Sequence, residues 1–321
     1  MSVDLAIRTN GLTKQFDRHI AVRDLDLDIA AGEVYGLIGP NGAGKTTLIR
    51  MLACAEEPTV GNIFIHGQAL QPDRPQPDLK RRIGYLPDDY PLYNDLSVWD
   101  YLDYFARLYG LRNPHRDRRI HAVLDLVSLT HKRTSKITTL SRGMKQRLGL
   151  ARTIIHEPTL LLLDEPVSGL DPIARQHFRD VIKALRSVGM TILISSHVLS
   201  DLQELCSAVG IMEFGFLVES ARLDELYQRL CQPYIEMQVI GDRAPLLAEL
   251  KHYPQIQLET PVDADDTPGN TYIRTAFQGS EAEAAELLRS LLNAGMNLYN
   301  FHYTRDDLEA VFMKLGHQQS T

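Results

Sequence analysis

One stretch of this chain is dense in phosphate chemistry: Gly39-Pro-Asn-Gly-Ala-Gly44-Lys45-Thr46-Thr47. It fits the pattern GxxxxGK[ST], in which glycines let the main chain close on phosphate oxygens and aim its N–H groups at them. Gly39, Gly42 and Gly44 supply that freedom, with Pro40, Asn41 and Ala43 between them. Lys45 offers a point charge to the β- and γ-phosphates, and Thr46 a hydroxyl ligand for Mg²⁺. Thr47 follows in a helix whose positive end faces the same anions. The run predicts binding of ATP or GTP and by itself leaves open which class of nucleotide hydrolase carries it.

A second cluster is acidic. Leu160-Leu-Leu-Leu-Asp164-Glu165-Pro166 sets two carboxylates at the C-terminal end of an apolar run, where α/β sheets place their ligands. Asp164 is positioned to hold Mg²⁺, directly or through water. Glu165, one residue on, is positioned to polarise a water in line with the γ-phosphate and accept its proton. His197 closes Ile192-Leu-Ile-Ser-Ser-His, a second such run, and reads as a donor to the γ-phosphate that helps hold the attacking water.

These groups need a sheet to bring them together, and the patterning supplies one. Leu25, Leu27 and Ile29 alternate with Asp24, Asp26 and Asp28, so Val22–Ile29 reads as a strand with one wet face. Val34–Ile38 runs apolar into the glycine loop, and Thr47–Ala55 reads as a helix. Leu160–Leu163 and Thr191–Ile194 are continuous apolar runs suited to strands buried on both faces. Helix Ile173–Val188 lies between them, opened by Pro172 and closed by Gly189. From Ser97 to about Arg152 the pattern turns helical, with Trp99, Leu102, Phe105 and Leu108 as one stripe and Ile120–Leu129 as a second amphipathic stretch. Beyond Glu219 the order is strand Tyr234–Ile240, helix Ala244–Tyr253, strand Ile256–Leu258, a polar gap Thr260–Asn270, strand Tyr272–Phe277, helix Glu281–Asn293 and strand Leu298–Tyr303. That βαββαβ order is the ferredoxin-like plan. A last helix begins near Thr304, with Asp307 three residues on to complete its cap.

Leu140-Ser-Arg-Gly-Met-Lys-Gln-Arg147, just upstream of the acidic strand, narrows the class. It resembles the signature sequence LSGGQ of the ABC ATPases. The phosphate loop (Walker A), Asp164 (Walker B), Glu165, the loop Ser168–Asp171 (D-loop) and His197 (switch histidine) match that family in order, over roughly residues 5–220. Ser141 begins a helical run and can cap it, so the helix end with the Gly143 N–H makes a second anion site. The resemblance implies an α/β P-loop core with an antiparallel β subdomain and a helical insertion at about 90–155. It also implies a head-to-tail dimer, with the Ser141–Gly143 signature and Asp171 of one subunit closing on ATP held by the other. The dimer is of identical chains or of this chain with a related ATPase. Implied partners are Mg²⁺ and a separate transmembrane permease, which holds the chain at the cytoplasmic face of the cell's inner membrane.

Three positions depart from the usual pattern. Arg142 replaces the first signature glycine, a change that is tolerated if its side chain points outward from the helix start. Phe16 stands where an aromatic ring stacks on adenine. Asp88, in Ile83-Gly-Tyr-Leu-Pro-Asp88, takes the Q-loop position of a metal-touching glutamine or glutamate and is one methylene shorter, with Asp89 beside it.

Residues 1–220 thus read as the ATP-binding cassette and 221–321 as a small α+β, ferredoxin-like accessory domain with a regulatory or dimer-supporting role. The tail Asp307-Leu-Glu-Ala-Val-Phe-Met-Lys-Leu315 resembles that of exporter ATPases. The net charge of -7 supplies no overall positive field for a nucleic-acid backbone. The clusters Lys80–Arg82 and Arg112–Arg119 read as solvated helix faces. Cys54, Cys206 and Cys231 lack the paired spacing of disulfides or zinc ligands and read as reduced thiols of a cytosolic protein. No run reaches the ~20 apolar residues that span a bilayer. The competing class is a soluble ABC ATPase of iron–sulfur assembly or of nucleic-acid and ribosome handling. The single cassette, the acidic balance and the extra domain count against it.

Overall fold

The computed structural model describes residues 4–71, 74–198, 200, 202–230, 233–257 and 272–305. The chain forms two compact units, Met1–Leu223 and Asp224–Thr321.

In the first unit β1 (Leu5–Phe16) and β2 (His19–Ala30) form a long hairpin. Leu25, Leu27 and Ile29 turn inward while Asp24, Asp26 and Asp28 face water. β3 (Val34–Ile38) is buried along its whole length and runs into the glycine loop and α1 (Lys45–Leu52). β4 (Val60–Ile65) and β5 (Gln68–Ala69) complete a four-stranded antiparallel sheet, order β2-β1-β4-β5. After α2 (Pro77–Arg81) and β6 (Ile83–Leu86) come the inserted helices α3 (Val98–Leu108), α4 (His115–Leu126) and α5 (Arg142–Ile154). The chain returns through β7 (Leu160–Leu163), α6 (Pro172–Ser187), β8 (Thr191–Ser196), β9 (Ala208–Glu213) and β10 (Phe216–Arg222).

The six-stranded core sheet has the order β10-β9-β3-β8-β7-β6. Its strands are parallel except for β10, antiparallel on β9. β7 and β8 are fully buried, which accounts for their unbroken apolar runs. The architecture is the α/β core with helical insertion that the patterning indicated, with the antiparallel sheet that the family resemblance implied.

Three helices of this unit differ from their sequence reading. α1 starts at Lys45 because Gly44, at φ 103°, is already its N-cap, and it stops at Leu52 because Cys54 turns left-handed at φ 57°. α3 buries Val98, Tyr101, Leu102 and Ala106, while Leu108 is 63% exposed. Steps of three residues advance about 300°, so a strict i, i+3 stripe drifts around the helix and leaves the core. α4 begins at His115, with Ile120, Val123 and Leu124 as its buried face.

α7 (Leu223–Leu230) straddles the boundary. The second unit then runs β11 (Pro233–Val239), α8 (Ala244–Leu250), β12 (Ile256–Gln257), β13 (Tyr272–Phe277), α9 (Glu281–Asn293) and β14 (Leu298–Arg305). Its sheet, β12-β13-β11-β14, is antiparallel throughout, the ferredoxin-like arrangement. Ile235, Met237 and Val239 pack with Leu246, Leu250, Leu287 and Leu291 to form its core. α8 ends at Leu250, short of Tyr253, because Pro254 disfavours helical backbone before it. Ser280 and Glu283 form a reciprocal capping box on α9. Thr304 lies in β14; the helix read after it, the tail from 307 to 315, Leu258, the gap 260–270 and Cys231 lie outside the described residues.

Candidate functional site

Two close approaches shape the glycine loop. A Cβ on Gly39 would sit 2.2 Å from the Met212 carbonyl oxygen, and one on Gly44 2.2 Å from that of Ala21. Only glycine lets the loop pass between the ends of β2 and β9. Outside support comes from the β9–β10 turn, where the Gly215 N–H donates to the Ala43 carbonyl at 3.1 Å.

Lys45, 6% exposed, is the first residue of α1. Its Nζ donates to the carbonyls of Gly39 at 2.7 Å and Pro40 at 3.2 Å, and lies 3.4 Å from Glu165 Oε1. That last distance is an ion-pair contact outside hydrogen-bond geometry, and Oε1 is buried without a hydrogen-bond partner among the described residues. The ammonium is thus held over the loop by carbonyls rather than released to solvent.

Sheet register builds the acidic centre. β7 and β8 pair Leu163 with Ile194, so Asp164 and Ser195 follow side by side. Ser195 Oγ donates to Asp164 Oδ1 at 2.8 Å and accepts the Glu165 N–H at 2.9 Å. Thr46 Oγ1 donates to the same Asp164 oxygen at 3.2 Å, while Oδ2 is buried with no hydrogen-bond partner among the described residues. Burial pushes the Asp164 carboxyl above its usual range. The Ser195 and Thr46 hydrogen bonds oppose that shift, and the charges of Glu165 and Asp88 add to it. An acid so burdened, with one oxygen unmatched beside the Thr46 hydroxyl, is chemically suited to a hard divalent cation.

Glu165 adopts φ 47°, a left-handed conformation rare outside glycine. The turn brings its Oε2 to 2.8 Å from His197 Nδ1. The structure therefore gathers Lys45, Thr46, Asp164, Glu165 and His197 at the C-terminal edge of β3, β7 and β8. Asp88, exposed in the loop after β6, contributes charge to the same centre without a hydrogen bond to it among the described residues. Phe16 stands at the end of β1, 41% exposed, with Lys14 Nζ 4.7 Å from its ring centroid.

Similarity to known proteins agrees with this geometry. The ABC transporter family model matches residues 22–168. A bacitracin transport ATP-binding protein of Bacillus licheniformis is 34% identical over 310 residues, 96% of each chain. A Nod factor export ATP-binding protein of Cupriavidus pinatubonensis is 36% identical over 66% of this chain and 65% of its own length. A solved ATP-binding subunit of an ABC transporter, 29% identical, superposes over 70% of this chain and 92% of its own with a TM-score of 0.62.

The chain belongs to the ABC transporter ATP-binding family.

As an ABC ATPase it binds and hydrolyses ATP as the subunit of a transporter, and a membrane-spanning partner follows from that role. None of its described helices is long and apolar enough to cross a membrane.

Among the described residues no hydrogen bond joins Ser141 or Gly143 to residues 39–47. Ser141 caps α5 by accepting the Met144 N–H at 3.3 Å, and Asp171 caps α6 by accepting the Ala174 N–H at 2.8 Å. A Cβ on Gly143 would come 2.7 Å from the Ala174 Cβ, so the two helix ends abut there. The exposed Arg142 side chain reaches the D-loop, Nη2 donating to the Ser168 carbonyl at 3.1 Å. A backbone acceptor one loop away satisfies a donor that would otherwise only be solvated.

Two further residues escaped sequence reasoning. Ser195 was visible only as one of three hydroxyls, with Thr191 and Ser196, in a buried strand. Tyr90, just past Asp88, places its hydroxyl 3.0 Å from both the Lys145 carbonyl and Gln146 Oε1 on α5. Its ring fills the space a Cβ on Gly149 would need, and the Arg152 guanidinium lies 5.4 Å from the ring centroid. The Q-loop is thereby fastened to the signature helix. Nothing in the local pattern around Tyr90 signals that contact.

Proposed function

We propose that this chain is the motor of an ABC exporter, working as an ATP-sandwich dimer on the cytoplasmic face of the inner membrane against a separate permease. The observation that carries the reading is the set Lys45, Thr46, Asp164, Glu165 and His197 at one sheet edge, in a chain whose signature helix end makes no hydrogen bond to the glycine loop among the described residues. A subunit that holds phosphate at one surface and offers a phosphate-binding end at another is suited to head-to-tail closure. The bacitracin transport relative supports the transport role, and the Nod factor export relative supports the exporter direction.

In this mechanism Gly39–Thr47 cradle the phosphates, Lys45 neutralises charge on the γ-phosphoryl, and Phe16 stacks on adenine. Thr46 and Asp164 would hold Mg²⁺, with the Asp88 carboxylate as a further source of negative charge near it, and the bound metal would supply positive charge against that developing on the phosphates. Glu165 takes the proton of the attacking water, and His197 orients Glu165 and donates to the γ-phosphate. Ser141, Gly143 and Asp171 of the other subunit complete the site. ATP closes the dimer, hydrolysis opens it, and the permease follows that cycle. Residues 221–321 serve as a regulatory or dimer-supporting domain.

The test is Glu165→Gln. It retains ATP binding, loses nearly all turnover and accumulates as a dimer with Mg-ATP in sedimentation velocity. A strictly monomeric variant at saturating ATP overturns the sandwich. Detergent extraction recovers the wild-type chain with a polytopic membrane protein; recovery with RNA or with soluble iron–sulfur scaffolds overturns the transport reading.

A further inference from the structure

The loop from Glu165 to Asp171 joins the acidic centre to α6. The Ser168 N–H donates to the Glu165 carbonyl at 3.2 Å and the Leu170 N–H to that of Val167 at 3.2 Å. Arg175 Nε holds the Leu170 carbonyl at 3.1 Å, and Asp171 caps α6. The middle of the loop is held from outside by Arg142, through Ser168. Gly169, at φ 65°, lies under the guanidinium: an added Cβ would come within 2.6–2.7 Å of Nη1, Cζ and Nη2. The planar group therefore lies against the backbone of the turn as well as donating to it. Glycine, the residue the LSGGQ pattern carries at this position, has no side chain to make either contact.

We propose that Arg142 is a positioning residue, a clasp that locks the Ser141–Gly143 helix end to the Ser168–Asp171 loop so that both move as one body. The clasp rests on the sandwich reading for its consequence, because these are the two surfaces one subunit offers to the nucleotide held by the other. Surfaces ordered before association cost less entropy to bring together. The clasp stabilises the closed dimer without touching the nucleotide in its own subunit's cradle. Through the Ser168–Glu165 hydrogen bond, the same loop is tied at its other end to the backbone of the acidic centre.

The experiment compares Glu165→Gln with Glu165→Gln/Arg142→Ala and Glu165→Gln/Arg142→Lys, all as full-length protein. The Mg-ATP-dependent dimer dissociation constant is measured by sedimentation, and ATP affinity by titration at monomeric concentration. Hydrogen exchange of residues 168–170 is measured on the Arg142 single variants without nucleotide. Arg142→Ala is expected to weaken the dimer roughly tenfold, equal to about 1.4 kcal/mol, to leave monomer ATP affinity unchanged and to speed exchange in the loop. Arg142→Lys, retaining one donor, is expected to recover part of each effect. Equal dimer affinity across the three proteins, or unchanged exchange at 168–170, overturns the clasp. Failure of Glu165→Gln itself to dimerise overturns the sandwich instead, and the exchange measurement still decides whether Arg142 holds the loop.

Discussion

Ser195→Ala tests the account of the acidic centre most directly. Ser195 is fully buried, donates to Asp164 Oδ1 at 2.8 Å and accepts the Glu165 N–H at 2.9 Å. Alanine removes a hydrogen bond to a carboxylate, a loss of about 1.5–3 kcal/mol, and leaves a backbone donor unmatched at about 1–3 kcal/mol more. Thr46 still donates to Asp164 at 3.2 Å, which favours the lower part of that range. The expected destabilisation is about 3 kcal/mol. The chain has one tryptophan, Trp99, within the first unit, so its fluorescence in a urea titration reads that unit alone. The effect also has a pH signature, read in EDTA so that no metal intervenes. Asp164 is raised in the folded state chiefly by burial, so the native protein carries a penalty that is complete above its folded pKa and disappears as the carboxyl protonates. Losing the Ser195 donor raises that pKa further and enlarges the penalty. The gap between variant and wild type must therefore be widest at neutral pH and shrink as pH falls through the carboxylate range. A loss under about 1 kcal/mol at neutral pH, or a gap that does not change with pH, would refute the reasoning.

Asp88→Gln is expected to preserve or raise basal ATPase activity while changing stimulation by the permease; an unaltered response shows that Asp88 is not the coupling residue. Gly149→Ala drives a Cβ to 2.6 Å from Cζ of the Tyr90 ring, and overpacking of this kind costs about 1–3 kcal/mol. The Trp99 melting transition should fall accordingly, and adding Tyr90→Leu should restore part of it. A wild-type transition for Gly149→Ala would show that the Q-loop is not seated on α5.

Chemistry written in consecutive residues was legible in the chain itself. The glycine loop, the Asp164–Glu165 pair at a strand end and the apolar runs of β3, β7 and β8 depend on local spacing and periodicity. They specified an α/β nucleotide fold and the residues to place in it. The βαββαβ order of the second unit was equally readable, because strand and helix periods differ and turns punctuate them. What remained hidden were contacts whose partners lie far along the chain. Ser195 meets Asp164 across 31 positions, Arg142 meets Ser168 across 26, and Tyr90 meets Lys145 across 55. The buried face of α3 was misplaced for a related reason: several apolar stripes were available, and packing against neighbouring helices chose among them. Local sequence sets backbone preference and residue chemistry. Which donor meets which acceptor is decided only when sheet register and helix packing bring distant segments within about 3 Å of one another.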